Sequence, residues 1–156
     1  MTYAKDTEVP VDRTRAEIER TLQRYGADQF AYGWDAQRAM IQFRAQDRQV
    51  RFVLTMPAPT ERAFTHTKTN IRRATHTAQQ EWEKACRARW RALALVIKAK
   101  LEAIEIGISE FEHEFLANIV LPDGSTVGNW VAPQLVEVYA RHEMPSALPA
   151  LGPATS

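Results

Sequence analysis

The stretch TAQQEWEKACRARWRALALVIKAKLEAIEI, residues 77–106, decides how the rest of the chain must be arranged. Trp82, Cys86, Trp90, Leu93, Ile97, Leu101, Ile104 and, just beyond, Ile108 follow one another at spacings of three or four. At about 100° per residue they share one stripe, so the spacing predicts a long amphipathic helix from about Thr77 to Ile106 with that stripe buried. Lys84, Arg87, Arg91 and Lys98 fall roughly 90° or more from the stripe and are expected to face water or a partner. Glu102 and Glu105 continue that polar side with the opposite sign. Gly107 interrupts the helix.

Such a helix needs an apolar surface to cover, and the residues upstream supply one. Gln29 to Trp34 reads as extended. In Arg38 to Ala45, Ala39, Ile41 and Phe43 alternate with Arg38, Met40, Gln42 and Arg44. Gln46-Asp47-Arg48 is a polar turn, after which Val50, Phe52 and Leu54 alternate with Arg51, Val53 and Thr55. Period-two alternation predicts an antiparallel sheet buried on one side, ended by Pro57 and Pro59. The fold expected is therefore a two-layer α+β domain, a small antiparallel β-meander packed against one long helix, with shorter helices at both ends.

The flanking helices follow from local signals. Asp12 is placed to cap a first helix carrying Ile18 and Leu22, which Tyr25-Gly26 stops. Ser109 is placed to cap a short helix from Glu110 to Leu116. Asn118 to Leu121 reads as a brief strand before the turn Pro122-Asp123-Gly124-Ser125. Pro133 suits the first position of a last helix running to about Arg141, with Leu135, Val136 and Tyr139 as its packing side. Residues 58–78 are Thr-rich, basic and non-periodic, and read as a loop of a length that usually has a functional reason. One domain is expected over residues 1–142, followed by a Pro-rich flexible tail, 143–156.

Composition narrows the function classes. Hydrophobic residues make up 45% of the 156, enough for a packed core. The single cysteine, Cys86, excludes an intrachain disulfide framework and suits a reducing cytoplasm. No apolar leader or membrane-length stretch appears, so a cytoplasmic protein without membrane contact is expected. The glycines are dispersed at positions 26, 33, 107, 124, 128 and 152, which leaves no Gly-rich phosphate loop, and no cofactor is expected.

Charge is the main functional clue. Residues 1–100 hold nineteen of the twenty Lys/Arg against eleven Asp/Glu; residues 101–156 hold only Arg141 against eight. Ten bases between Arg62 and Lys100 face only Glu81 and Glu83. This polarity points to a surface for a polyanion or an acidic or mixed-charge protein, with internal pairing of the two ends as the plain alternative. The candidate nucleic-acid-binding residues are Arg62, Lys68, Arg72 and Arg73 in the loop and Lys84, Arg87, Arg91 and Lys98 on the helix. With the sheet arginines they would form one groove if the loop folds beside the helix. The opposed patches also allow self-association.

Catalytic chemistry is less well supported. Glu110, Glu112, His113 and Glu114 lack a His-Glu-x-x-His pattern and read as the wet side of a short helix backed by Phe111 and Phe115. A metal-dependent nuclease would need Glu110, Glu114 or His113 to meet carboxylates from other elements, such as Asp47 or Asp123. Cys86 lies in the apolar stripe and reads as a packing residue. His66 and His76 read as solvent-facing. No catalytic or metal residue is assigned. The first expectation is a non-catalytic nucleic-acid-associated protein; the alternatives are a protein-binding modulator and the nuclease.

Three blocks carry a resemblance: RAEIERTLQRYGADQFAYGWD (15–35), RFVLTMPAP (51–59), and EWEKACRARWRALALVIKAKLEAIEIGISEFEHEFLANIVLPDGSTVGNW (81–130). They resemble a family of small phage- and prophage-encoded proteins with no established activity, over most of residues 10–140. The resemblance implies a mobile-element setting, where such proteins serve DNA metabolism, packaging or interference with host defence. It assigns no site residue.

Overall fold

The computed structural model describes residues 7–144. The elements are α1 (Val11–Arg24), β1 (Gln29–Trp34), β2 (Arg38–Ala45), β3 (Arg48–Thr55), α2 (Arg62–Thr65), α3 (Thr75–Ile106), α4 (Phe111–Glu114), a 3-10 turn (Leu116–Asn118) and α5 (Val127–Arg141). The strands form one antiparallel sheet in the order β1-β2-β3. This is the expected two-layer α+β arrangement, with the small meander packed against the long helix.

The β2–β3 hairpin is set by its turn. Gln46 and Asp47 both adopt positive φ, 48° and 59°, the backbone that a two-residue hairpin needs to match the strands' twist. The resulting register puts Ile41 opposite Phe52 and Phe43 opposite Val50, all on one face. Ile41 and Val50 are fully buried, and Phe43 nearly so. The β1–β2 turn is held by Asp35, whose Oδ1 accepts the Gln37 and Arg38 amide N–H groups, each at 2.8 Å.

Trp90, Leu93, Ala94, Ile97 and Leu101 of α3, with Ile18 and Leu22 of α1, complete this core. Burying each such large apolar side chain contributes about 1.5–3 kcal/mol. Phe115 closes the far end with no exposure, edge-on to Phe43 at 5.7 Å and Phe52 at 6.2 Å. Aromatic edge contacts of this kind add about 0.5–1.5 kcal/mol beyond area burial.

Several local expectations are corrected. The buried face of α3 is wider than the predicted stripe: Ala94 is buried because α1 packs against α3. Ile108 is 79% exposed, since Gly107 at φ 89° turns the chain out of the helix before it. Arg87 and Arg91 do not lie on a free face. The Arg91 guanidinium pairs with Glu17 of α1 at 2.5 Å, and the Arg87 Nε donates to the Thr7 carbonyl at 3.4 Å. Asp12 sits in the first turn of α1, behind Pro10, which occupies the cap position.

Further along, Ser109 makes no cap, and the segment before α5 is shorter in regular structure than expected. Glu110 precedes α4, and the chain passes into the 3-10 turn after Phe115. Residues 118–121 form no named strand and join the sheet through the isolated Val50–Ile119 bridge, with the Val120 N–H donating to the Gln49 carbonyl at 2.8 Å and the Asn118 side-chain amide to the Arg51 carbonyl at 3.0 Å. Helix α5 starts at Val127, where the Thr126 hydroxyl accepts the Asn129 N–H, so Pro133 lies inside the helix. Leu135, Val136 and Tyr139 are 51%, 70% and 77% exposed rather than packed. The helix docks by its first turn: a Cβ at Gly128 would stand 2.9 Å from the Ala117 carbonyl oxygen. Of the expected tail, all but Glu143 and Met144 lies outside the described residues.

Trp90→Ala is expected to cost about 3–5 kcal/mol, because it removes the largest side chain of the buried α3 face. Arg89→Ala, exposed one residue earlier, should cost less than about 0.5 kcal/mol. Urea melts of the two variants measure the difference.

Candidate functional site

Residues 58–78 are not a structureless loop, and this is the main correction to the sequence reading. The chain leaves β3 as a strap across α3, where the Pro57 carbonyl accepts the Trp82 indole N–H at 2.7 Å. It then forms α2, which buries Phe64. His66 and Arg72 pair as an antiparallel bridge around a tight turn that contains Asn70 at φ 65°. The Arg73 guanidinium donates to the Ala63 and Phe64 carbonyls at 2.9 and 3.0 Å, so Arg73 pins the turn against the end of α2. The Arg62 guanidinium donates to the Asn70 side-chain oxygen across the same turn.

Between this folded segment and the first turns of α3 lies a cavity of about 440 Å³. Its polar lining among the described residues is Thr60, Thr65, His66, Arg72, Arg73, Thr75 and Gln79, with no carboxylate in that set. The amino end of α3 opens beside it: Ala74 occupies the cap position without a side-chain cap bond, and no acidic residue stands in the first turn. Uncapped amide N–H groups carry the positive end of the helix dipole. The His66 imidazole is held below its ordinary pKa by partial burial and then by the Arg62 and Arg72 cations. The Thr65 hydroxyl lies 2.8 Å from the His66 Nδ1. The Gln79 side-chain amide donates to the Glu83 carboxylate at 3.1 Å. The remaining hydroxyls, guanidiniums and backbone amide donors favour an anion.

The predicted site residues thus divide in two. Arg62, Lys68, Arg72 and Arg73 gather around the α2 turn. Lys84, Arg87 and Arg91 line the α1 side of α3, where the Arg91 charge is met by Glu17. Lys98 is exposed but stands about 20 Å along the helix from Lys84. Three of the four sheet arginines have their charge met by a carboxylate, whereas Arg51 is bonded to a carbonyl and keeps its charge. Arg44 pairs with Asp28 at 2.5 Å, Arg38 with Asp35 at 3.7 Å and Arg48 with Glu112 at 3.6 Å, while Arg51 donates to the Gly124 carbonyl at 2.7 Å. One continuous groove across helix, loop and sheet is therefore not formed. Thr60, Thr65, Thr75 and Gln79 were missed by the sequence reading; the missing cap residue at position 74 was the available signal.

Other chemistry finds little support. Glu114 pairs with Lys100 at 3.2 Å, and burial raises the Cys86 thiol pKa, away from thiolate character. Among the described residues no group of three or more His, Cys, Asp or Glu is placed to hold a metal ion, and no helix is long and apolar enough to cross a membrane. Comparison with family models, with curated proteins and with solved structures finds no match, so geometry carries the functional argument.

The His66 resonances should titrate below the ordinary value of 6.5, as two-dimensional NMR would show. Because the folded pKa is depressed, the unfolded chain binds the proton more readily just below pH 6.5. Stability contributed by neutral His66 is present above that pH and is lost as pH falls through the folded pKa. Inorganic phosphate in the cavity should move the His66 titration upward.

Proposed function

We propose that this is a non-catalytic nucleic-acid-associated protein that engages the phosphate backbone at the amino end of α3. The observation that carries the reading is the carboxylate-free cavity where Arg72, Arg73 and His66 meet three threonine hydroxyls and uncapped helix amides. Arg62 and Lys68 stand exposed on the adjoining turn, so positive charge continues beyond a single anion. A row of cations spaced along a surface suits a polyanion better than a small isolated phosphate.

Arg73 has a different role in this reading from Arg72 and Lys68. Arg73 holds the turn through backbone carbonyls and keeps its charge, since carbonyls satisfy its donors without neutralising it. Arg72 and Lys68 supply contacts that assemble with the nucleic acid. Such contacts position a backbone and carry no sequence information.

A second reading, a protein-binding modulator, is favoured by α5. Ala132, Leu135, Val136 and Tyr139 recur at i, i+3, i+4 and i+7, and all four are exposed. That spacing is the one an amphipathic helix uses to enter a partner's groove. A partner retained on the protein after nuclease treatment and lost with Val136→Glu would favour it.

Fluorescence-anisotropy titrations with single-stranded and duplex DNA and RNA across a salt series test the primary reading. Neutralising about three phosphates gives a log–log salt slope of about −2 on single strands. Arg72→Ala should weaken binding for every sequence and reduce the slope by about 1. Binding no tighter than millimolar at low salt, or an Arg72→Ala, Lys68→Ala protein that binds like the parent, would refute it.

A further inference from the structure

Thr75, Gln79, Trp82, Cys86 and Trp90 recur along α3 at spacings of four, three, four and four, so they share one face of the helix. The first two line the phosphate cavity, and the last three line a second cavity of about 250 Å³. The strap through Pro57 crosses α3 between the two. Successive turns are about 5.4 Å apart, which places the cavities within the reach of about one or two nucleotides.

The second cavity is an aromatic cleft. Trp90 is 4% exposed and forms its floor, and the Trp82 ring is fixed by its bond to the Pro57 carbonyl. Trp34 forms the outer wall and is 75% exposed, although large aromatic side chains normally stay covered. Its backbone is fixed at the last β1–β2 pair, opposite Ala39, so the ring stands at the cleft on a rigid strand. Met56 and Cys86 supply soft, polarizable contacts. The volume is below the roughly 300–1,000 Å³ typical of drug-sized ligands, and suits one planar ring system.

The charges around the cleft select among planar or aromatic-seeking ligands. The Arg15 guanidinium already lies 4.2 Å over the Tyr32 ring and 5.9 Å from the Trp90 ring, which disfavours a second cation. Asp35 is the only carboxylate among the described residues of the lining, and it is committed to the Gln37 and Arg38 amides and to the Arg38 guanidinium; Glu8, Asp12 and Glu83 line the separate cavity on the other side of Trp82 and Cys86. A methylated-ammonium cage would need the reverse arrangement. A neutral, flat group carried by an anionic chain fits the tryptophans, the arginines and the neighbouring phosphate cavity together.

We propose that the Trp34–Trp82–Trp90 cleft takes an unpaired base of a single-stranded nucleic acid whose backbone lies at the Arg72 cavity. The inference rests on the phosphate-backbone reading above and narrows it to single strands. A base inside a duplex is stacked on both faces and must be extruded to enter such a cleft. Stacking on a tryptophan face is tolerant of sequence, so little base preference is expected.

The test uses the full chain with fluorophore-labelled oligothymidine and a duplex of equal length, at matched salt. The single strand should bind more tightly than the duplex and quench tryptophan emission. Trp34→Ala should weaken single-strand binding roughly ten- to a hundredfold and leave the salt slope unchanged, because no phosphate contact is removed. Trp34→Phe should restore most of the loss. As Trp34 is exposed, a circular-dichroism melt should match that of the parent. If Trp34→Ala binds single strands like the parent while Arg72→Ala still reduces the slope, the base site is refuted and the backbone reading stands. If no nucleic acid binds, both fail. A nuclease-resistant protein partner lost in Trp34→Ala, without quenching by oligothymidine, would give the cleft to a protein side chain and overturn the inference.

Discussion

The structure depends on a mismatch of lengths. Helix α3 has 32 residues, about 48 Å, whereas β2 and β3 have eight each, about 27 Å. The sheet's single apolar face buries α3 only from Trp90 to Leu101. Four turns of helix before Trp90 therefore project past the sheet and need other cover. Residues 56–73 provide it as a strap, a one-turn helix and a pinned turn, and the N-terminal approach to α1 supplies the rest. The first cavity arises in this overhang, and the second lies at its edge, where Trp82 and Trp90 meet the end of the sheet at Trp34 and Ala39. The site exists because the helix is longer than the surface that stabilises it.

The same geometry divides the charges. Where the molecule is compact, the opposed halves of the sequence meet: Arg48 with Glu112 and Lys100 with Glu114 join basic and acidic ends. Arg44 and Arg91 find carboxylates on adjacent elements. Exposed pairs of this kind contribute little stability, typically below about 1 kcal/mol. Their larger effect is to cancel field over the sheet and the middle of α3. Positive charge is left in excess at the α2 turn, where Arg62, Lys68, Arg72 and Arg73 outnumber the one nearby carboxylate of Glu61. Two ion pairs, Arg48–Glu112 and Lys100–Glu114, join the basic and acidic parts of the chain, so the asymmetry visible along it is met internally in part, and only the three-dimensional arrangement shows where.

What could be read from the chain follows from which forces leave a periodic trace. The alternation in β2 and β3 and the three–four spacing in α3 record burial on one side, and these elements appear where expected. The segment 58–78 is organised by backbone carbonyls accepting from Arg73 and by a bridge around Asn70, neither of which produces periodicity. Pro133 gave a misleading start for α5, because a capping threonine at position 126 had already begun the helix and the proline was accommodated within it. The cleft was hidden for a different reason: Trp34 and Trp82 lie 48 residues apart, and nothing in the spacing brings an extended segment's last residue to the second turn of a distant helix. Exposure, which distinguishes them, is a property of packing.

Helix α5 stands in a different thermodynamic regime from the rest of the molecule. It has no buried residue, and its close seat is the approach of Gly128 to the Ala117 carbonyl. An element with so little apolar burial opens and closes as its own cooperative unit, at a free energy far below that of global unfolding. Amide hydrogens from Trp130 to Arg141 therefore exchange with solvent through a local event, while those of β2 and central α3 wait for the whole domain. Any molecule that seats itself on the closed helix slows that exchange in proportion to its occupancy, which makes α5 a reporter of association built into the fold.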